Sequence, residues 1–94
     1  MTLQELKTRL ETEKHFIGPL EVACGTKSEL PYIFGIYEED NRWYIYDTDE
    51  QGRIVILDNG SEEDMTEAFY RRVLEIEKRI LKKQTLKKRI RKKR

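Results

Sequence analysis

FGIYEEDNRWYIYDTDEQGRIVIL, residues Phe34 to Leu57, decides how the rest of the chain must be arranged. Three runs rich in aromatic and β-branched residues are separated by two polar turns, and apolar side chains recur at period two, the spacing of half-buried strands. The alternation predicts one face carrying Phe34, Ile36, Trp43, Ile45, Ile54 and Ile56. Ile33, Tyr37, Tyr44, Tyr46, Val55 and Leu57 fall on the opposite face. Asp40-Asn41 and Asp49-Glu50-Gln51-Gly52 carry turn chemistry: short polar side chains that bond back to the backbone, and a glycine that tolerates positive φ. Connections this short make neighbouring strands antiparallel, because a parallel return needs a crossover of about a dozen residues or more. The stretch reads as a β-meander.

Working outward, Thr2 and Glu5 match a capping box, in which hydroxyl and carboxylate each satisfy a free backbone donor. Leu3, Leu6 and Leu10 then form a narrow apolar stripe on a helix that should end before Gly18-Pro19. Leu20 to Cys24 alternates weakly and suits an edge strand, and Gly25-Thr26-Lys27-Ser28 reads as a turn. On the other side, Ser61 caps a second helix whose Glu62, Glu63 and Asp64 complement the helix dipole. Met65, Phe69, Val73, Ile76 and Ile80 make its buried stripe. The apolar pattern degrades after Ile80, and fraying is expected beyond about Thr85, where like charges repel at i,i+4 spacing.

The expected fold is therefore α+β: an N-terminal helix, a three- to four-stranded antiparallel β-meander, and a long C-terminal helix with a basic extension. One domain spans residues 1–80, and residues 81–94 form the extension, partly helical or disordered. Because the second sheet face is itself aromatic and aliphatic, two arrangements stand open. Helices cover both faces, or one face is an exposed surface that takes a partner.

The 94 residues suit a single core. Their net charge of +1 conceals an asymmetry. Lys78 to Arg94 holds eleven Lys or Arg and no acidic residue, whereas Met1 to Glu77 holds eight Lys or Arg and all eighteen Asp and Glu. The two parts carry +11 and −10. Such a division points to charged partners, or to contact between a tail and a neighbouring body. The single cysteine, Cys24, forms no intrachain disulfide and lacks companions for a structural metal site. With no secretory h-region and no run of membrane-spanning length, a cytoplasmic protein is expected.

No residue set predicts catalysis. Ser28 and Ser61 have no catalytic context, Cys24 has no paired histidine in view, and His15, the only histidine, reads as a surface residue on a charged helix. Gly25 to Ser28 lacks the G-x-x-x-x-G-K-[ST] pattern of a phosphate loop. Asp47, Asp49 and Gly52 fit three positions of an EF-hand loop, but Gln51 and Asp58 break the pattern and the flanks are strands. Neither a metal nor a cofactor is expected, and the protein reads as non-enzymatic.

Two surfaces remain as binding candidates. Glu38, Glu39, Asp40, Asp47, Asp49 and Glu50, with Tyr44 and Tyr46, would make an acidic, tyrosine-bearing surface for a protein partner. Alternatively Lys82, Lys83, Lys87, Lys88, Arg89, Arg91, Lys92, Lys93 and Arg94 would hold nucleic acid by counterion release. Leu81, Leu86 and Ile90 interleave these charges, so anionic lipid is a further candidate partner for the tail.

FGIYEEDNRWYIYDTDEQGRIVI, followed after a turn by SEEDMTEAFYRRVLEIE, resembles the small immunity proteins of bacterial polymorphic toxin systems. The likeness lies in a glycine-led strand, the W-x-I-Y strand of Trp43 to Tyr46, the D-E-x-G turn of Asp49 to Gly52, and a helix carrying Ala68-Phe69. It implies a cytosolic protein that binds and blocks one cognate toxin, its acidic surface suiting a basic nuclease. The basic tail is not part of the resemblance.

Overall fold

The computed structural model describes the backbone of residues 1–92 and the side chains of residues 1–83. The chain runs α1 (Leu3–Glu13), β1 (Glu21–Cys24), β2 (Ile33–Glu39), β3 (Arg42–Thr48), β4 (Ile54–Gly60) and α2 (Glu62–Lys92). The fold class is α+β, as expected. Side chains beyond Lys83 lie outside the described residues, and with them the expected fraying past Thr85 and most of the basic extension.

Both helix starts follow from their caps. The Glu5 N–H donates to Thr2 Oγ1 and the Thr2 N–H to Glu5 Oε1, completing the capping box. Ser61 Oγ accepts the Asp64 N–H at 3.2 Å. α1 stops four residues earlier than its Gly-Pro signal, because Lys14 adopts the left-handed conformation (φ 51°) and its N–H closes on the Leu10 carbonyl.

The four strands form one sheet in the order β1-β2-β3-β4. β2, β3 and β4 are the antiparallel meander. β2 turns into β3 through Asp40 and Asn41, both at positive φ (52° and 62°), a two-residue turn whose twist matches the strands. β1 departs from the expected antiparallel order: it pairs parallel with β2, Glu21 opposite Ile33 and Cys24 opposite Ile36. The chain achieves this with an eight-residue crossover, Gly25 to Tyr32, shorter than such returns usually are.

Both helices pack on the same sheet face. Leu6 of α1, Phe34, Ile36 and Ile45 of the sheet, and Met65, Phe69 and Val73 of α2 are buried together. Phe34 and Phe69 stack with centroids 4.4 Å apart at 10°, which joins sheet to helix at the centre of the core. Trp43, Ile76 and Leu57 pack half-buried around it.

β4 lies in the opposite orientation to the one its alternation suggested. Ile54 pairs with Thr48 and Ile56 with Tyr46, so both isoleucines join the tyrosine face. Val55 faces the helix side opposite Asp47, and a β-bulge after Ile56 sends Leu57 into the helix-side core. Register decides this, since a shift of one residue exchanges every side chain between the faces.

Candidate functional site

The face away from the helices divides into a closed half and an open half. The crossover makes the closed half. Ile33, Tyr37 and Tyr46 are buried there, with Ile54 half-buried against them. Tyr46 is fully buried: its hydroxyl donates to the Thr26 carbonyl at 2.7 Å and accepts the Ser28 N–H at 2.8 Å. Thr48, also buried, donates from Oγ1 to the Leu30 carbonyl at 2.6 Å and accepts the Ile33 N–H at 2.8 Å. Two strand side chains thus hold the crossover down at both ends.

Glycine makes this closure sterically possible. Gly35 lies opposite Tyr46, and any Cβ there would run into the tyrosine ring. Gly52, at φ +79°, lets the β3–β4 turn pass the Glu29 carbonyl at a distance no side chain allows. Tyr32 ends the crossover at φ 57°, uncommon for an aromatic residue. Its carbonyl accepts the Glu21 N–H at 2.9 Å, and its own N–H donates to the Asp49 carbonyl at 3.4 Å.

The open half lies between the crossover and β4. Tyr37 and Tyr44 stack with centroids 5.3 Å apart, and the Lys27 ammonium sits 5.4 Å from the Tyr37 centroid. Ile56, 44% exposed, continues the apolar strip. A shallow groove of ≈ 650 Å³ runs along it, bounded by Lys27 and Glu29 on one side and Arg53 on the other. The groove is lined by an aromatic ring, two isoleucines and charges of both signs.

The expected acidic, tyrosine-bearing surface is not one surface. Tyr46 must be withdrawn from it, because the crossover covers its ring and takes both capacities of its hydroxyl. Tyr44 stays accessible in part. Glu38, Glu39 and Asp40 sit at the β2–β3 turn, whereas Asp49 and Glu50 sit at the β3–β4 turn, at the other end of a strand about 20 Å long. Asp47 lies on the helix face, where burial pushes its carboxyl up and the Arg72 guanidinium acts against that. Asp49 serves its own turn: Oδ1 accepts the Gln51 and Arg53 N–H groups and Oδ2 accepts Arg53 Nε at 2.7 Å. Those bonds, the Arg53 N–H first, hold its pKa below the ordinary carboxylate value. Of the basic set, Lys82 and Lys83 are exposed on α2; Lys87, Lys88, Arg89, Arg91, Lys92, Lys93 and Arg94 have side chains outside the described residues.

A second groove, of ≈ 430 Å³, lies between α1 and β1 with Leu10, Ile17, Val22 and Cys24 along it. Burial pushes the Cys24 thiol up, which keeps it protonated and weakly nucleophilic. Beside this groove His15 overturns its expected place as a surface residue. Its side chain is only 13% exposed, with Nδ1 2.8 Å from Glu77 Oε1 and Nε2 on Glu13. Glu77 Oε2 also accepts the Phe16 N–H at 2.6 Å, and the Tyr70 hydroxyl donates to Glu13 at 2.6 Å. The hydrogen bonds to Glu77 and Glu13 raise the His15 pKa above its ordinary 6.5. This clasp ties the end of α1 to α2. No spacing in the sequence pairs His15 with Glu77, 62 residues away.

Among the described residues no group of three His, Cys, Asp or Glu stands close enough to hold a metal ion, and no helix is long and apolar enough to cross a membrane. No family model, no curated protein and no solved structure matches this chain.

Proposed function

We propose that the protein binds a macromolecular partner without chemistry of its own, through the open half of the tyrosine face. The observation that supports this most directly is the exposed Ile56 on the groove, with the half-buried Tyr44 stacked on Tyr37 of its lining. Partly exposed aromatic and aliphatic side chains within a polar rim are the usual composition of a protein interface. On the resemblance to small immunity proteins, that partner is a cognate toxin, neutralised in the cytosol. The acidic turns at the two ends of β3 steer a basic toxin toward the molecule without forming the centre of the contact.

The test is to look for a toxin gene beside this one and, where one is found, to co-express its product with the parent chain. The parent chain should restore growth and co-purify with that product. Tyr44→Ser combined with Ile56→Asp should abolish both while the melting temperature stays near the parent value. Undiminished protection by this variant would move the interface elsewhere.

A second reading, binding of nucleic acid through the basic tail, is favoured by one observation. Among the described residues, Ile80 is the last of the α2 stripe to meet the body, over Gly18, and the exposed Lys82 and Lys83 follow. Truncation after Ile80 removes nine Lys or Arg and changes the net charge from +1 to −8. On this reading the parent binds duplex DNA at about 50 mM salt with steep salt dependence, and the truncated chain does not. A parent that ignores DNA at that salt ends the reading.

A further inference from the structure

Residues 14–20 join α1 to β1 and form one wall of the groove between them, through His15 and Ile17. The connection turns at two left-handed positions, Lys14 (φ 51°) and Gly18 (φ 68°), and Ile17 between them is buried in the helix-side core. Among the described residues its hydrogen bonds to α2 all end on one carboxylate. Glu77 Oε1 meets His15 Nδ1 at 2.8 Å, and Oε2 accepts the Phe16 N–H at 2.6 Å. The other ring nitrogen, Nε2, meets Glu13 at the end of α1. An ionised carboxylate only accepts, and a neutral imidazole has one N–H to give. Both bonds therefore form together only when the ring carries two protons. In the neutral ring one nitrogen turns a lone pair on a carboxylate oxygen, and that contact becomes repulsive.

We propose that His15 is a proton-operated latch: doubly protonated, it fastens the 14–20 connection to α2, and on losing a proton it releases that connection from the α1–β1 groove. The charged and titratable groups around it come from three elements. Glu13 of α1 and Glu77 of α2 touch the ring, and the Tyr70 hydroxyl of α2 donates to Glu13 at 2.6 Å. Arg9 lies over the Tyr70 ring, 5.3 Å from its centroid. Lys7 and Glu11 of α1 and Cys24 of β1 line the groove with His15. The Tyr70 hydroxyl and then His15 hold Glu13 below its usual range, and His15 and then the Phe16 N–H do the same for Glu77. The latch is closed below the ordinary His15 value of 6.5 and opens as the pH rises through the raised one. At the acid end it holds until the pH falls through the lowered carboxylate values. Release leaves Ile17 as the connection's hold on the core, so the opening is local and the sheet keeps its packing.

The test uses the full chain and hydrogen exchange, with protection taken relative to the unfolded chain so that the intrinsic pH dependence cancels. At the Phe16 amide, protection should be high in mild acid. It should fall about tenfold as the pH rises through the raised His15 value, the scale of one lost charge-assisted bond. The Ser28 amide, held by the Tyr46 hydroxyl on the opposite sheet face, should not follow it. His15→Gln keeps a polar side chain that cannot take up the proton, and its Phe16 protection should be low and level across the same range. Dithiodipyridine reads the groove at Cys24, as the ratio of the His15→Gln rate to the parent rate, in which the thiolate fraction cancels. That ratio should be about tenfold in mild acid and approach one in alkali. Should His15→Gln fail to fold, by circular dichroism, the parent's Phe16 and Ser28 profiles decide. Phe16 protection that ignores pH, a Ser28 amide that moves in step with it, or a Cys24 rate ratio that stays level overturns the latch. Each of these readouts is independent of the tyrosine strip, so partner binding there stands or falls separately.

Discussion

The two faces of the sheet are both apolar in sequence, yet they are closed by different physics. On the helix face, Phe34, Ile36 and Ile45 meet Leu6, Phe69 and Val73 in a contact made almost wholly of hydrocarbon. Its stability scales with area removed from water, and it tolerates exchange of shape for similar shape. On the tyrosine face, an irregular segment lies over the strands, and a loop brings backbone donors and acceptors that must be satisfied. Tyr46 and Thr48 satisfy three of them, at Thr26, Ser28 and Leu30, and Thr48 also takes the Ile33 N–H where β2 begins. Closure there depends on particular hydrogen bonds, and where the crossover ends the face stays open. A second sheet face in a chain this short can be half core and half open surface.

Phe69→Ala should cause the largest loss, since it empties the stacked site opposite Phe34. Chemical denaturation should show about 3–5 kcal/mol, and a loss below about 1 kcal/mol would mean that the helix face is not the main core. Gly35→Ala breaks the other face sterically by forcing the Tyr46 ring off its strand. We expect about 1–3 kcal/mol, the usual cost of overpacking, with the larger change in protection of the Thr26 and Ser28 amides from hydrogen exchange.

Tyr46→Phe sharpens the comparison further, because it keeps the ring and removes only the bonds to the crossover. The expected cost is about 1–3 kcal/mol for stranding buried backbone groups, whereas Tyr44→Phe, on the open half, should be nearly silent. Equal effects at the two tyrosines would erase the distinction between closed and open halves.

The smallest effect belongs to the His15 clasp. Its folded pKa lies above 6.5, so its contribution is fully present below the ordinary value and fades as the pH rises through the raised one. Glu77, lowered from 4.5 first by His15 and then by the Phe16 N–H, adds stability above that pH, which is lost as the pH falls through its lowered value. The melting-temperature gap between the parent and His15→Gln should be widest between these limits and narrow in alkali. A gap independent of pH would show that His15 acts by packing alone.

What the sequence determined by itself is local. The capping box at Thr2 and Glu5, the Ser61 cap, the Asp40-Asn41 turn and the stripe of Met65, Phe69 and Val73 each depend on residues a few positions apart, and all stand where the spacing puts them. The face of β4 was also within reach: pairing Asp49 with Arg53 across their turn places Ile54 beside Thr48 on the tyrosine side, a count that simple alternation within one strand cannot supply. The tertiary structure alone decided the rest. Whether β1 runs parallel, whether Tyr46 is surface or anchor, and what His15 holds all depend on which distant segment arrives. Free energies of docking set that, since a tyrosine suits a half-wet face or a bonded burial equally well until a carbonyl and an amide come within reach of its hydroxyl.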